Sequence, residues 1–128
     1  MDTRATIEAV LDAAYAARIA EDIEAAAACF TEDGNFCING GPVTKSRAAQ
    51  VAALREQFEA FDLLEMKLHC RIIDPPHAAV HWRGRFRNKG GQEAETDILD
   101  LIEVKDGRIS SLTTFFDTAL AAAMLAPA

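Results

Sequence analysis

Asp100 is the residue most able to do chemistry. In the extended segment 93–104 side chains alternate between two faces, so Thr96, Ile98, Asp100, Ile102 and Val104 share one of them. A carboxylate among hydrocarbon is costly unless it pairs, hydrogen-bonds or takes up a proton. Two readings of Asp100 are open. Either it bonds a helix-end amide or a hydroxyl such as Thr113 or Thr114, or it is a poised acid in a ligand cavity. Tyr15, on an amphipathic helix, either packs in the core or sends its hydroxyl to the same place. His77 and His81 have metal-ligand spacing for a helix, but Pro75 and Pro76 put them on a strand, and no cysteine or acid completes a set. No metal is expected. Strand alternation turns His69 outward with Glu65, Lys67 and Arg71, and turns His81 outward with Arg83. A one-residue register change would bring His81 and Arg83 in beside Asp100, a cluster suited to hydration or dehydration. Asp100, Tyr15 and His81 are therefore the candidate catalytic residues. Cys37 has no neighbouring base to activate its thiol. Gly40-Gly41 and Gly90-Gly91 sit in turns, and no phosphate loop or dinucleotide fingerprint is present, so no cofactor is expected.

The elements that position these residues change character once along the chain. Ile7, Val10, Leu11, Ala14, Tyr15 and Ile19 follow the spacing of one helix face. Asp22 can cap a short alanine-rich helix from Ile23 to Phe30. Gly34 ends the helical region, and Asn35 to Ile38 form a short extended piece closed by Asn39-Gly40-Gly41-Pro42. A third helix runs from about Ser46 to Ala60, with Val51, Leu54, Phe58 and Phe61 on one side. Beyond Phe61 the period becomes two, which predicts strands over 62–73, 78–88, 93–104 and 108–117. Their breaks, Asp74-Pro75-Pro76, Asn88-Lys89-Gly90-Gly91 and Lys105-Asp106-Gly107, are turn formers. Strands this long, joined by tight hairpins, predict a strongly bent antiparallel meander, with Gly84 as a bend point. Thr118 to Ala128 reads as a short helix.

Charge assigns the faces. If residues whose numbers sum to 180 pair in the second hairpin, Arg87 meets Glu93, Arg85 meets Glu95 and Arg83 meets Asp97. That face is solvated or meets another subunit. The opposite face carries Val80, Trp82, Gly84 and Phe86 against Thr96, Ile98, Asp100, Ile102 and Val104.

Composition narrows the partners. The 128 residues carry 13 Lys+Arg and 20 Asp+Glu, a net charge of −7 that argues against nucleic acid and anionic membranes. The length predicts one domain over 1–128. Half of the residues are hydrophobic, yet 25 are alanine, which packs helices closely without filling much volume. Three cysteines without CxxC spacing suit reduced thiols in the cytoplasm. The acidic N-terminus does not read as a signal peptide, and no stretch approaches the ~20 apolar residues of a membrane span.

This order of elements resembles the nuclear transport factor 2-like superfamily, and most closely its SnoaL-like and ketosteroid isomerase-like members. Two segments carry the resemblance: Ile19-Ala-Glu-Asp-Ile-Glu-Ala-Ala-Ala-Ala-Cys-Phe30-Thr-Glu-Asp-Gly34, and Asp100-Leu-Ile-Glu-Val-Lys-Asp-Gly107 with the strand through Phe116. It spans roughly Thr6 to Asp117. It implies a cone-shaped α+β fold (NTF2-like, cystatin-like), with three N-terminal helices packed on a strongly bent antiparallel sheet, and a homodimer formed through the outer face of the sheet. It also implies a conical pocket for a small apolar ligand, lined by Phe36, Phe58, Trp82, Phe86, Ile98, Leu112, Thr114 and Phe116 beside Tyr15 and Asp100. Asp100 matches the isomerase's oxyanion-hole acid, which an apolar site keeps neutral. The isomerase's base falls at Ile38 and its tyrosine at Ala14, with Tyr15 about 100° further round the helix. Ketosteroid isomerisation is therefore disfavoured. The related limonene-epoxide hydrolase needs carboxylates where this chain has His81-Trp82-Arg83 and Leu112-Thr113-Thr114, so that water-activating site is absent. Two functions remain: a lyase, isomerase or hydrolase without metal that uses Asp100 as acid, or a non-catalytic ligand-binding or dimerisation module.

Overall fold

The computed structural model describes residues 2–38 and 43–125, so the expected turn at Asn39–Pro42 and the last three residues of the expected tail helix lie outside the described residues. Helix α1 (Arg4–Ala20) begins where the Thr3 hydroxyl accepts from the Thr6 amide, and it buries Ile7, Val10, Leu11 and Ala17. It stops at Glu21, whose φ of 56° is left-handed, and Asp22 at once caps α2 (Ile23–Ala28) through the Ala25 amide. Helix α3 (Arg47–Ala60) is capped by Ser46. No helix among the described residues is long and apolar enough to cross a membrane.

Five strands form one curled sheet in the order β1-β5-β4-β3-β2. Strands β2 (Asp62–Asp74), β3 (His77–Arg87), β4 (Glu93–Lys105) and β5 (Arg108–Phe115) make the expected antiparallel meander. Strand β1 (Phe30–Ile38) departs from expectation. It starts at Phe30, which the helical pattern assigned to α2, and it pairs parallel with β5, Phe36 opposite Leu112. The sheet is therefore mixed at this edge. Residues 30–35 do not alternate because the pairing is irregular between Phe30 and Asn35. Their carbonyls are satisfied from α3 instead. Gln50, only 1% exposed, donates from Nε2 to the carbonyls of Thr31 at 3.0 Å and Gly34 at 2.9 Å. Arg47 donates to the carbonyls of Ala27 and Phe30. A polar residue in the middle of the α3 core stripe is thus what docks this helix on β1.

The β3–β4 register follows the sum of 180 at every pair from His77–Glu103 to Arg87–Glu93. The arginines and acids do share the outer face, but the strand twist makes most contacts diagonal or links them to β2. Arg85 meets Glu93 at 2.6 Å and Glu65 at 3.7 Å, Arg83 meets Glu95 at 3.2 Å, and Arg87 meets Asp62 at 3.4 Å. Arg83–Asp97, also at 3.2 Å, joins direct partners of β3 and β4, and Arg85–Glu65 and Arg87–Asp62 join direct partners of β3 and β2. The inner face packs against α1, α2 and α3, with Ile7, Leu11, Val80, Val104 and Ile109 fully buried. Gly84 does more there than permit a bend. A Cβ at this position would stand 2.5 Å from the Phe86 ring and 2.8 Å from that of Trp82, so the missing side chain makes room for both aromatics.

Helix α4 (Thr118–Leu125) is capped by the Asp117 carboxylate and held by Asn88, whose side-chain amide donates to the Met124 carbonyl at 2.8 Å. Replacing Gln50 by leucine keeps the volume but strands the two β1 carbonyls. Gln50→Leu is expected to cost about 1–3 kcal/mol, read as a lower urea midpoint at unchanged m.

Candidate functional site

One stripe of α1 faces the inside of the curled sheet: Leu11, Ala14, Tyr15 and Arg18, at the three- and four-residue spacings that stack on a helix. Alternation along the strands sends Trp82 from β3, Asp100 from β4 and Thr114 from β5 to the same side. Asp100 and Thr114 are direct cross-strand partners, and Trp82 is one step along from Val80, the partner of Asp100 on β3. Tyr15 Oη donates to Asp100 Oδ2 at 2.5 Å, and Trp82 Nε1 donates to the same oxygen at 2.9 Å. The Thr114 hydroxyl also hydrogen-bonds this carboxyl group. The Tyr15 and Trp82 rings meet edge to face, their centroids 6.0 Å apart, so packing fixes both donors.

Asp100 is 4% exposed. Burial raises its pKa above the ordinary carboxylate value, and the hydrogen bonds from Tyr15, Thr114 and Trp82 oppose that rise. Burial also pushes the Tyr15 hydroxyl up, helped by the charge and hydrogen bond of Asp100 and opposed by Arg71. Tyr15 is consequently a hydrogen-bond donor throughout the physiological range, not a base.

Beside this group lies a cavity of about 350 Å³, bounded by α1, α3, α4 and the inner face of the sheet. Its wall includes Tyr15 and Asp100, the aromatic residues Phe36, Phe58, Trp82 and Phe86, and Ile98, Leu112, Thr114 and Phe116 further along the strands. Ile38, where the isomerase resemblance puts a base, contributes only hydrocarbon. His81 is the correction among the candidate catalytic residues. It lies between the inward Val80 and Trp82 and so points outward, where its ring stacks on His69 at 4.9 Å and its Nε2 is 3.3 Å from Asp97 Oδ1. Arg83 is outside with it, so the register that would cluster His81, Arg83 and Asp100 is not the one adopted. Cys37 is buried but lies off the cavity wall, between Phe36 and Ile38, which are on it.

Three contributions went unread in the sequence. Arg18 enters the wall at the next position of the Leu11–Tyr15 stripe, a signal the helical spacing does contain. Gln57 adds polar atoms beside Thr96, whose inward face the strand alternation does give. Helix α4 supplies Leu120, Ala121 and Met124, but it is apolar on every side and its pattern indicates no preferred face.

The raised Asp100 pKa has a consequence for stability. The folded protein holds a proton that the unfolded chain releases near pH 4. The resulting stabilisation is complete below that value and is lost as pH rises through the higher folded value. The stability difference between the protein and Asp100→Asn should therefore fall with rising pH above about 4. Chemical denaturation across pH measures it, and a difference independent of pH would contradict the assignment. Trp82, the only tryptophan, should report the same titration in its fluorescence.

Solved structures share this fold at low sequence identity. A SnoaL-like protein from Jannaschia sp. CCS1, provisionally assigned as a polyketide cyclase, aligns with a TM-score of 0.82 at 19% identity, covering 96% of this chain and 93% of that one. An NTF2-like protein of unknown function from Burkholderia pseudomallei gives 0.83 at 17%, covering 95% and 98%. An epoxide hydrolase from M. tuberculosis, of the limonene-epoxide hydrolase type, gives 0.74 at 20%, covering 91% and 86%. No curated protein matches the chain. A model of the SnoaL-like domain matches residues 9–112, from the cavity-facing helix through Leu112 of the last strand, and the chain belongs to that family.

Proposed function

We propose that this SnoaL-like protein binds a small hydrophobic molecule of steroid, terpenoid or polyketide type, with a ligand oxygen at the Asp100–Tyr15 corner. The observation that carries this reading is the convergence of Tyr15, Trp82 and Thr114 on a buried acid in the wall of an apolar cavity. The cavity falls within the ~300–1,000 Å³ usual for small-molecule sites. Indole N–H can only donate, so Oδ2 is committed as an acceptor and a proton taken up by Asp100 belongs on Oδ1. From there it can be donated to a carbonyl, hydroxyl or epoxide oxygen. That is acid assistance for isomerisation, dehydration, cyclisation or hydrolysis without a metal. Relatives of this fold include an epoxide hydrolase and provisionally assigned cyclases, which is compatible with such chemistry. A second reading, binding without turnover, is favoured by one feature: Ile38 occupies the wall position where a proton-abstracting base would be wanted.

The probe for ligand binding is 2-acetylnaphthalene, compared by equilibrium dialysis with 2-ethylnaphthalene, which has the same shape without the oxygen. The ketone is expected to bind roughly tenfold more tightly, a preference lost in Asp100→Asn. Absence of binding by both, or a preference indifferent to Asp100, would reject the reading.

The partner proposed for the outer face is a second copy of the chain. Leu99, Leu101 and Phe115 are 40%, 45% and 38% exposed there, next to arginines and acids that a two-fold axis would place against each other. Thiols unlinked by disulfides, among them the exposed Cys70, suit a cytoplasmic setting for such a dimer. Leu101→Glu should convert the dimer to monomer in light scattering without unfolding it. A wild-type protein that is already monomeric at high concentration would dismiss the dimer.

A further inference from the structure

Arg18 poses a problem that the Asp100 corner does not solve. It sits one helical turn beyond Tyr15 on the cavity-facing stripe of α1 and is one of the residues of the wall. Its Nη2 donates to the Phe61 carbonyl at a long 3.4 Å, and the guanidinium carbon lies 4.5 Å from the centre of the Phe58 ring. Its Nη1 is buried and meets no hydrogen-bond acceptor among the described residues. Glu21 and Asp62 act on it electrostatically, yet neither closes an ion pair with Arg18, and Asp62 meets Arg87 at 3.4 Å instead. Burial draws its pKa down to about 10, partly offset by Glu21 and Asp62, so the group remains cationic at neutral pH. A charged donor removed from water with one nitrogen unsatisfied is expensive, and a group kept in that state calls for an explanation.

We infer that Arg18 is a ligand-recognition residue, and that the molecule held in this cavity carries a carboxylate on its apolar body, to which the Arg18 guanidinium donates. The inference rests on the cavity's being a ligand site and goes further by assigning the ligand's charge. The guanidinium lies over the Phe58 ring, and its planar fork of donors suits a carboxylate. The cavity so described has two polar ends on one helix: an acid with its donors at Tyr15, and a cation one turn later. A neutral hydrocarbon would satisfy neither end. An acidic ring compound with a second oxygen satisfies both. The rest of the wall is largely hydrocarbon and aromatic, with Glu56 and Asp117 as its other acids, so Arg18 is the cation an anion would meet among the described lining residues.

The test compares 2-naphthoic acid with 2-naphthamide, which have the same shape and differ in charge at neutral pH, with 2-acetylnaphthalene as reference for the cavity itself. Wild-type protein should bind the acid at least about tenfold more tightly than the amide. Arg18→Met, which keeps the apolar stem, should bring that ratio to about one while 2-acetylnaphthalene still binds. Arg18→Lys, which keeps charge without the planar fork, should retain part of the preference. A purely structural Arg18 would lower affinity for all three compounds together and leave the ratio unchanged, which overturns the inference. Equal binding of acid and amide by the wild type overturns it even if Arg18→Met fails to fold. If the reference ketone binds in that case, only the charge assignment falls. If none of the three binds, the cavity reading falls with it.

Discussion

A carboxyl group can be held away from water only if donors are fixed around it before it arrives, and here those donors come from parts of the chain far apart in sequence. The Tyr15 hydroxyl reaches Asp100 across 85 residues and the Trp82 indole across 18. Each donor is in turn held by packing, Tyr15 by its edge-to-face contact with Trp82 and Trp82 by the gap that Gly84 leaves beside Phe86. The acid is therefore a meeting point for α1, β3, β4 and β5. Any shift of the helix over the sheet would leave a buried carboxyl group without its partners, a larger penalty than the loss of one ordinary contact. The polar corner thus constrains how the helices sit, while the apolar surroundings constrain the protonation of the acid.

The two faces of the sheet divide the chemistry. Inside, alternation along β3 and β4 delivers aromatic and branched side chains with one acid among them. Outside, the same alternation delivers His81, Arg83, Arg85 and Asp97 to an exposed layer whose ion pairs are individually weak. A single register shift would exchange these sets, and the buried cost of Arg83 and Asp97 is what forbids it. The cavity is what remains when a bent sheet is covered by helices rich in alanine, which approach closely but do not fill the cone. Arg18, half-satisfied within it, is the one cation among the described residues of a wall otherwise given to hydrocarbon and a few neutral or acidic groups.

How much of this could be read in advance depends on the range of the interaction involved. Period-two alternation after Phe61 was enough for the long strands, the hairpin register and the inward direction of Asp100, because strand parity is a local property of the backbone. Turn residues at Asp74–Pro76, Asn88–Gly91 and Lys105–Gly107 marked the hairpins for the same reason. The resemblance in the segments around Phe30 and Asp100 pointed to the cone and to most of its aromatic wall.

Non-local partners decided the rest. That Phe30 to Ile38 is a parallel edge strand depends on β5, more than 70 residues away, and on Gln50, whose polar type at a core position looks like an exception until the β1 carbonyls are beside it. That Asp100 takes donors from Tyr15 and Trp82, that His81 spends itself on Asp97, and that Arg18 is buried with a nitrogen unpaired follow from distances no spacing encodes. Backbone geometry imposes the face on which a residue lies, and the amino-acid sequence by itself determines that much. What a side chain meets on that face depends on how separate elements close around a common core, which only the tertiary structure decides.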